Sequence, residues 1–401
     1  MNMNINQRQL IDCISAAIHG NKINASSNKN INWTKIIEQA YKHNVQALLY
    51  FSLDKIGEFN EKLFEDIKKN TIITALQQMK HVQQLEKVFR KFKDNNVALA
   101  GLKGIAVRGL YERPEFRTMS DCDLLVQKYN LERGKQLLLK LGYIYSGCEK
   151  NHLSFKHEKF LPIDLHWTLE DKRGKGSADF DKEVWKNVIE IPIGKEKGLS
   201  LSWEDTLVHL LMHMAGHTVN NGFGIRQLCD VALVIEKNFH SINWTSFYKK
   251  IKSIEIEKFT IAVFITCKEL FKIEVPYEIT KHGEFTSKYL DMFINYMYSC
   301  GAQGRFDLVN VYSNQLAYNP GNNGASENNE SKRSIIKRIV KILFPGIQEI
   351  KNKFPYTKKI IVLIPLAWCL YIGGYIIKFK SFIISIPISK RRYKLFKYLE
   401  L

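Results

Sequence analysis

Apolar residues recur at helical spacing over roughly the first 95 positions and again after Ser202. Between these stretches the pattern shortens to runs that fit buried strands. Trp33 to Tyr41 carries a helical stripe, with Asn32 in front of it as an N-cap. A second, highly charged helix is predicted from Phe64 to Asp94. The texture then changes. Val97 to Leu102 reads as a short buried strand, Gly104 to Tyr111 as a helix, and Glu112 to Glu115 as a loop. Cys122 to Val126 is a second strand, and Leu131 to Leu141 is an amphipathic helix stopped by Gly142. Leu153 to Phe155 and Leu161 to Trp167 form two more strands, joined by a turn over Lys156 to Phe160. Ser202 caps a further helix opened by Trp203-Glu204-Asp205, and helical spacing continues to about Cys300. No internal repeat is visible.

These elements predict an α+β protein in which a small mixed sheet is embedded in a mainly helical chain. The expected organisation has an N-terminal helical region over 1–95 and a small α/β unit over 96–200. A helical domain follows over 201–315, then an Asn-, Gly- and Ser-rich linker over 316–335 and a C-terminal helical module over 336–401. The length of 401 residues suits two or three such units. The proportions, 45% hydrophobic and 25% charged, are those of a folded globular chain and exclude an extended disordered one.

Charge changes the picture in one place. The formal net charge is +19. From Ser331 to Leu401 there are 16 Lys and Arg against Glu349 and Glu400, so +14 of it sits in the tail. The tail is therefore a basic module on a nearly balanced body, suited to anionic lipid or nucleic acid. Lys390-Arg391-Arg392 and Lys394 stand out within it, with a solvated helix face as the plainer reading. Ile360 to Ile377 is an uncharged stretch, barely the length of a membrane span and interrupted by Pro365 and Gly373-Gly374. It fits a helix packed on the protein or lying on a membrane surface better than a span. Seven scattered cysteines with no CxxC pair argue against a disulfide framework and a zinc ribbon, and fit a reducing cytoplasm. No secretory signal is visible at the N-terminus.

The chemistry concentrates in one stretch. Asp121 and Asp123 stand at i and i+2, which on a strand share one face. Two carboxylates side by side repel unless a cation lies between them. The apolar run Leu124-Leu125-Val126 anchors that strand in a core. Asp164 sits on a later strand from which it can reach the same place. Hard oxygen ligands of this kind suit Mg²⁺ (or Mn²⁺), which leaves room for substrate phosphates. A bare DxD pair is common by chance; the third acid, the upstream Gly104 and Arg117 set this one apart.

Leu102-Lys103-Gly104, Leu110-Tyr111, Arg117, Ser120 to Val126, Gly142-Tyr143 and Ile163-Asp164-Leu165-His166-Trp167 together carry a resemblance. So do Leu210 to His213, Arg226 to Asp230 and Leu343-Phe344-Pro345, more weakly. Over about 30 to 375 the chain resembles the uncharacterised bacterial nucleotidyltransferase family of the DNA polymerase β-like superfamily. The resemblance implies that Asp121 and Asp123 bind metal and that Asp164 completes the site and activates the nucleophile. It implies an NTP substrate, ATP among them, whose monophosphate passes to an acceptor while pyrophosphate leaves. Lys103-Gly104 stands where the superfamily has Gly-Ser or Gly-Gly, and the interval to Asp121 is longer than its norm. Lys103, Gly104 and Ser120 are then expected at the nucleotide, and Arg117 either closes on the phosphates or pairs with Glu112 or Glu115.

His166, His213, His217, Arg226 and Asp230 are candidate pocket residues. His166 follows Asp164 by strand alternation, with burial beside Trp167 as the alternative. His209, His213 and His217 share a helix face, yet lack the acid or cysteine partners of a zinc site. A polar groove or a hydrogen-bonded core placement fits them better. The expected acceptor is a hydroxyl or phosphate on a small molecule, peptide or protein. RNA, tRNA in particular, is the second reading, and a catalytically silent binding or membrane-peripheral protein the third. Peripheral contact with an anionic membrane is expected of the C-terminal module.

Overall fold

The computed structural model describes residues 3–23, 30–53, 61–169, 178–283, 285–302, 307–318, 346–354, 357, 361–377 and 379–401. The linker expected over 316–335 lies outside them beyond residue 318, as do Leu343-Phe344-Pro345.

The chain is α+β, with one seven-stranded mixed sheet among many helices. The strands are β1 (Leu99–Gly101), β2 (Cys122–Val126), β3 (Ile144–Cys148), β4 (His152–Lys156), β5 (Ile163–His166), β6 (Ile189–Ile193) and β7 (Glu196–Ser200). Their order across the sheet is β3-β4-β5-β2-β1-β7-β6. β2 and β5 run parallel, as do β1 and β7; the other neighbours are antiparallel.

Strand alternation gives the central strands two different faces. Cys122, Leu124 and Val126 of β2 join Ile163 and Leu165 of β5 in one apolar cluster. Leu85, Val88, Phe89 and Phe92 cover that cluster from a long helix, α4 (Glu61–Lys93). On the opposite face Ala100 and Leu125 join a second and larger cluster. It is filled by α1 (Ile5–Ile18), α2 (Trp33–Lys42), α3 (Gln46–Ser52) and the helices after Ser202. The N-terminal helices and the helices after residue 201 thus share one core. The intervening positions of β2 and β5, among them Asp123, Asp164 and His166, are polar and lie on this second face. The helices there leave a cavity over them.

Two short helices follow in the sheet region, α5 (Gly104–Val107) and α6 (Leu131–Lys140), and then α7 (Ala178–Val184). The helix expected over Gly104 to Tyr111 holds α-helical bonds only to Val107; a 3-10 turn covers Arg108–Leu110, where Gly109 weakens helix propagation. Part of the expected loop winds into a second 3-10 turn, Pro114–Phe116, with proline in its first position. Asn32 caps α2, its side chain accepting from the Lys35 N–H at 3.0 Å. The cavity is walled by α8 (Trp203–Asn220) and α9 (Ile225–Asn238). Ser202 caps α8 by accepting from the Asp205 N–H at 3.1 Å. The helical set continues through α10 (Trp244–Ser253), α11 (Glu257–Phe271), α12 (Tyr277–Thr280), α13 (Ser287–Cys300) and α14 (Leu308–Ala317).

The C-terminal helix Phe379–Tyr398 packs on α14 and returns Leu395, Phe396 and Leu399 to the large core. Arg392 does not join the basic surface. It is buried, donates to Asn310 O at 2.9 Å and Asn314 Oδ1 at 2.7 Å, and lies over the Tyr296 ring. Its neighbours Lys390, Arg391 and Lys394 are exposed. The apolar stretch forms a 14-residue helix, Ile364–Ile377, preceded by a 3-10 turn. At 1.5 Å per residue it extends only about 21 Å, short of the ~30 Å hydrocarbon core of a bilayer. Among the described residues no helix is long and apolar enough to cross a membrane.

Candidate active site

Register places the acids. Along the parallel pair β2 and β5, Asp123 lies beside Asp164 and Leu125 beside His166. Along the antiparallel pair β4 and β5, Ser154 lies beside Asp164 and His152 beside His166. Side chains in register share a face. Asp121, Asp123, Asp164, His166, His152 and Ser154 accordingly line one cavity of about 390 Å³. That volume lies in the range of small-molecule sites. Every site residue expected from the sequence borders it: Lys103, Gly104, Arg117, Ser120, His213, His217, Arg226 and Asp230 besides the acids and His166.

Asp123 is the best-held acid. Its Oδ1 accepts from Lys103 Nζ at 2.7 Å and from His166 Nε2 at 3.0 Å. Burial alone would raise its pKa; Lys103 and His166 override this and hold it well below the ordinary carboxylate value. Asp164 Oδ1 accepts from Ser154 Oγ at 2.8 Å, with His152 Nε2 at 3.6 Å. Asp121 Oδ1 accepts from Ser120 Oγ at 3.2 Å. Asp121 reaches solvent at the cavity mouth but is crowded by protein on its other sides. That partial desolvation raises its pKa, the Asp123 charge adds to the rise, and Lys103 and Arg226 oppose it.

Lys103 reaches Asp123 from an unusual backbone. Its φ of 46° and ψ of −116° belong to a region that favours glycine. Gly104, next to it, is required for a different reason: a Cβ there would stand 2.2 Å from Arg117 Nη1. The space beside Gly104 is therefore filled by Arg117, and the helix behind it is a single turn.

Arg117 is not paired with Glu112 or Glu115. Its Nη2 and Nε donate to Asp230 Oδ2 and Oδ1 at 2.6 and 3.1 Å, a two-point pair with both side chains under 5% exposed. Tyr111 donates to the same carboxylate at 2.7 Å. Burial by itself would lower the Arg117 pKa, and the Asp230 carboxylate reverses it, so the guanidinium stays charged. This bolt ties the segment before Asp121 to α9. Arg226, one turn earlier on α9, donates to Thr118 O at 3.1 Å, and its Nε has no partner among the described residues. Burial and the Arg117 charge lower its pKa. It is the less committed of the two guanidinium groups at the cavity.

The α8 histidines form the opposite wall. His209 is buried and its pKa falls to about 3, through burial first and then the Lys103 and His166 charges. His213 is pushed well below its ordinary value by burial and Lys103. Its Nε2 lies 2.8 Å from that of His217, so the two rings share a hydrogen bond. Neutral imidazoles here supply donors and acceptors without adding positive charge. His152 was not singled out from the sequence. Its ring lies 4.8 Å from that of His166, and the alternation of β4 around the buried Leu153 and Phe155 is the signal that points to it.

Among the described residues no group of three or more His, Cys, Asp or Glu is gathered tightly enough to hold a metal as it stands. The donor set nonetheless fits Mg²⁺ or Mn²⁺. All three acids offer hard oxygens, and among the described residues the Oδ2 atom of each accepts no hydrogen bond. Mg²⁺ uses one or two carboxylates and completes its shell with phosphates and water, so an open arrangement is compatible with it.

A protein-family profile described as "uncharacterised nucleotidyltransferase" matches residues 29–272. No curated protein matches the chain. Among solved structures, the antibiotic-resistance factor ANT(2'')-Ia is 13% identical, over 44% of this chain and 93% of its own, with a TM-score of 0.35. The lincosamide antibiotic adenylyltransferase LnuA, solved with lincomycin, is 17% identical over 38% and 94%, with a TM-score of 0.29. The profile spans more than half of the chain, including all three acids and both walls of the cavity, and the protein belongs to the family of uncharacterised nucleotidyltransferases.

Proposed function

We propose that the protein transfers a nucleoside monophosphate from an NTP to a hydroxyl or phosphate acceptor on a small molecule, peptide or protein. The observation that carries this reading is the register of Asp123 beside Asp164, with Asp121 in the same cavity next to Lys103 and Arg226. An acidic centre flanked by cations is the arrangement that phosphoryl chemistry requires. Residues 96–200 would be the catalytic unit.

In the proposed reaction an acceptor oxygen bonds to the α-phosphorus. The bond from that phosphorus to the α–β bridging oxygen breaks, and its electron pair leaves with pyrophosphate. Asp164 Oδ2 takes the acceptor's proton. Lys103 and Arg226 meet the phosphate oxygens, and the Arg117–Asp230 bolt keeps Lys103-Gly104 in place. Asp121, Asp123 and Asp164 would hold Mg²⁺ or Mn²⁺, which supplies charge neutralisation on the triphosphate and a lower pKa for the acceptor. His209 and His213, both neutral, line the wall without competing for phosphate.

The test is incubation of radiolabelled ATP, GTP, CTP and UTP with Mg²⁺ and cell extract, comparing the native protein with Asp121→Ala/Asp123→Ala. Label transfer that the double substitution abolishes supports the reading; equal transfer by both removes these acids from the reaction. Label on RNA, with binding that weakens steeply in salt, would move the acceptor to RNA.

A peripheral membrane contact is favoured by a separate observation. Leu366 and Leu370 stand one turn apart on the helix Ile364–Ile377 and are exposed, as are Val362 in the 3-10 turn before it and Ile383 and Ile384 on the helix that carries the exposed Lys390, Arg391 and Lys394. Apolar residues next to cations suit an anionic bilayer surface. Co-sedimentation with phosphatidylserine vesicles that Lys390→Ala/Arg391→Ala/Lys394→Ala abolishes would support it; equal recovery with neutral vesicles would refute the electrostatic part.

A further inference from the structure

Lys103 sits where its charge would oppose a cation. Its ammonium lies 2.7 Å from Asp123 Oδ1, with the lysine side chain 16% exposed and the aspartate 8%. Among the described residues it is the only lysine or arginine within ion-pair distance of any of the three acids. Its charge opposes the rise in the Asp121 pKa and adds to the burial that lowers those of His209 and His213, so it is felt on both sides of the cavity. The backbone that delivers it is one that a side chain rarely adopts. Strain held at such a position marks a function beyond packing.

Two other cations at the cavity are held by protein groups. Arg117 is locked by Asp230, and Arg226 is tied to Thr118 O. Lys103, by contrast, reaches Asp123 on a flexible four-carbon stem, through a hydrogen bond that a phosphate can replace. Resting on the nucleotidyltransferase reading, we infer that Lys103 is an exchangeable counter-ion, paired with Asp123 while the cavity is empty and with the triphosphate when nucleotide enters. In the empty state the ammonium neutralises Asp123 and weakens the attraction of the three acids for a divalent cation. When the triphosphate draws Lys103 away, Asp123 regains its full charge and a site for the ion. Nucleotide and metal then bind cooperatively, and the protein does not load metal alone. Coupling of this kind is reciprocal and spans about 5- to 150-fold in typical cases.

The inference is tested by titrating nucleotide-free protein with Mn²⁺ and reading free Mn²⁺ by electron paramagnetic resonance, for the native chain, Lys103→Met and Lys103→Gly. Methionine keeps the stem, and glycine suits the positive φ if methionine does not fold; circular dichroism checks both. A second titration measures affinity for the Mn²⁺ complexes of α,β-methylene NTP analogues. We expect either substitution to tighten Mn²⁺ binding without nucleotide by about tenfold or more and to weaken nucleotide binding. Unchanged or weaker Mn²⁺ binding by both variants, with the native protein still binding the Mn²⁺–nucleotide complex, overturns the role of Lys103 and leaves the nucleotidyltransferase reading intact. A native protein that binds neither Mn²⁺ nor any of the complexes overturns both.

Discussion

Asp230→Ala is the sharpest perturbation of the architecture that holds the site. The carboxylate accepts from Arg117 Nε and Nη2 and from the Tyr111 hydroxyl, at 3.1, 2.6 and 2.7 Å. Removing it leaves a guanidinium that is only 4% exposed with one carbonyl partner, Thr118 O. Breaking a buried pair from one side costs about 3–5 kcal/mol, because the surviving charge is stranded. That is a large part of the roughly 5–15 kcal/mol that a folded domain holds. Arg117→Met should cost less, since Tyr111 still donates to Asp230 and Arg226 lies close by to offset its charge. The double substitution Arg117→Met/Asp230→Ala should cost less than the sum of the two, as coupled partners do. Urea unfolding followed by circular dichroism measures all three. A loss under about 1 kcal/mol for Asp230→Ala, or strict additivity in the cycle, would show that the pair does not hold α9 to the segment before Asp121.

Gly104→Ala should destabilise by about 1–3 kcal/mol, because the new methyl would stand 2.2 Å from Arg117 Nη1 and 3.2 Å from Met119 Cγ; an unchanged urea midpoint would contradict the packing. His43 provides a pH prediction away from the cavity. It is fully buried, and burial, with Lys42 adding to it, lowers its pKa to about 3. The unfolded chain binds that proton near pH 6.5 and the folded chain does not. Stability is therefore full above about pH 6.5 and falls by about 1.4 kcal/mol per unit between there and pH 3. His43→Gln should flatten that slope in urea titrations run across the window, and an unaltered slope would show that His43 titrates normally.

What could be read in advance followed the range of each interaction along the chain. Alternation within one strand is local, so spacing alone put Asp121 and Asp123 on the side opposite Cys122 and turned Asp164 away from Ile163 and Leu165, while the meeting of Asp164 with the pair rests on the register of β2 and β5. The cap by Asn32 and the cap by Ser202 are three-residue signals and were equally visible. The strands toward the two ends of the sheet were not. Ile144 is 68% exposed in β3, and β6 and β7 form a hairpin carrying Glu190, Glu196 and Lys197, whose alternation is diluted by charges facing solvent. Arg117 and Asp230 are 113 positions apart, and nothing local shows that they meet. The same holds for Lys103 and Asp123, whose contact depends on a backbone conformation that a lysine codon does not announce. Arg392 looked like its basic neighbours because a helix turns one residue in three or four inward, and that one is its buried position.

The central claim is that Asp164 works with Asp121 and Asp123 at one reacting centre. Asp164→Asn keeps the side chain's shape and its contact with Ser154, so folding should be unaffected. Measuring NTP-derived label transfer for this variant is the most direct test. The expected result is a loss of about 10²-fold or more with an unchanged urea midpoint. Transfer within about threefold of the native rate would place the chemistry elsewhere, since the loss expected of a catalytic carboxylate is far larger.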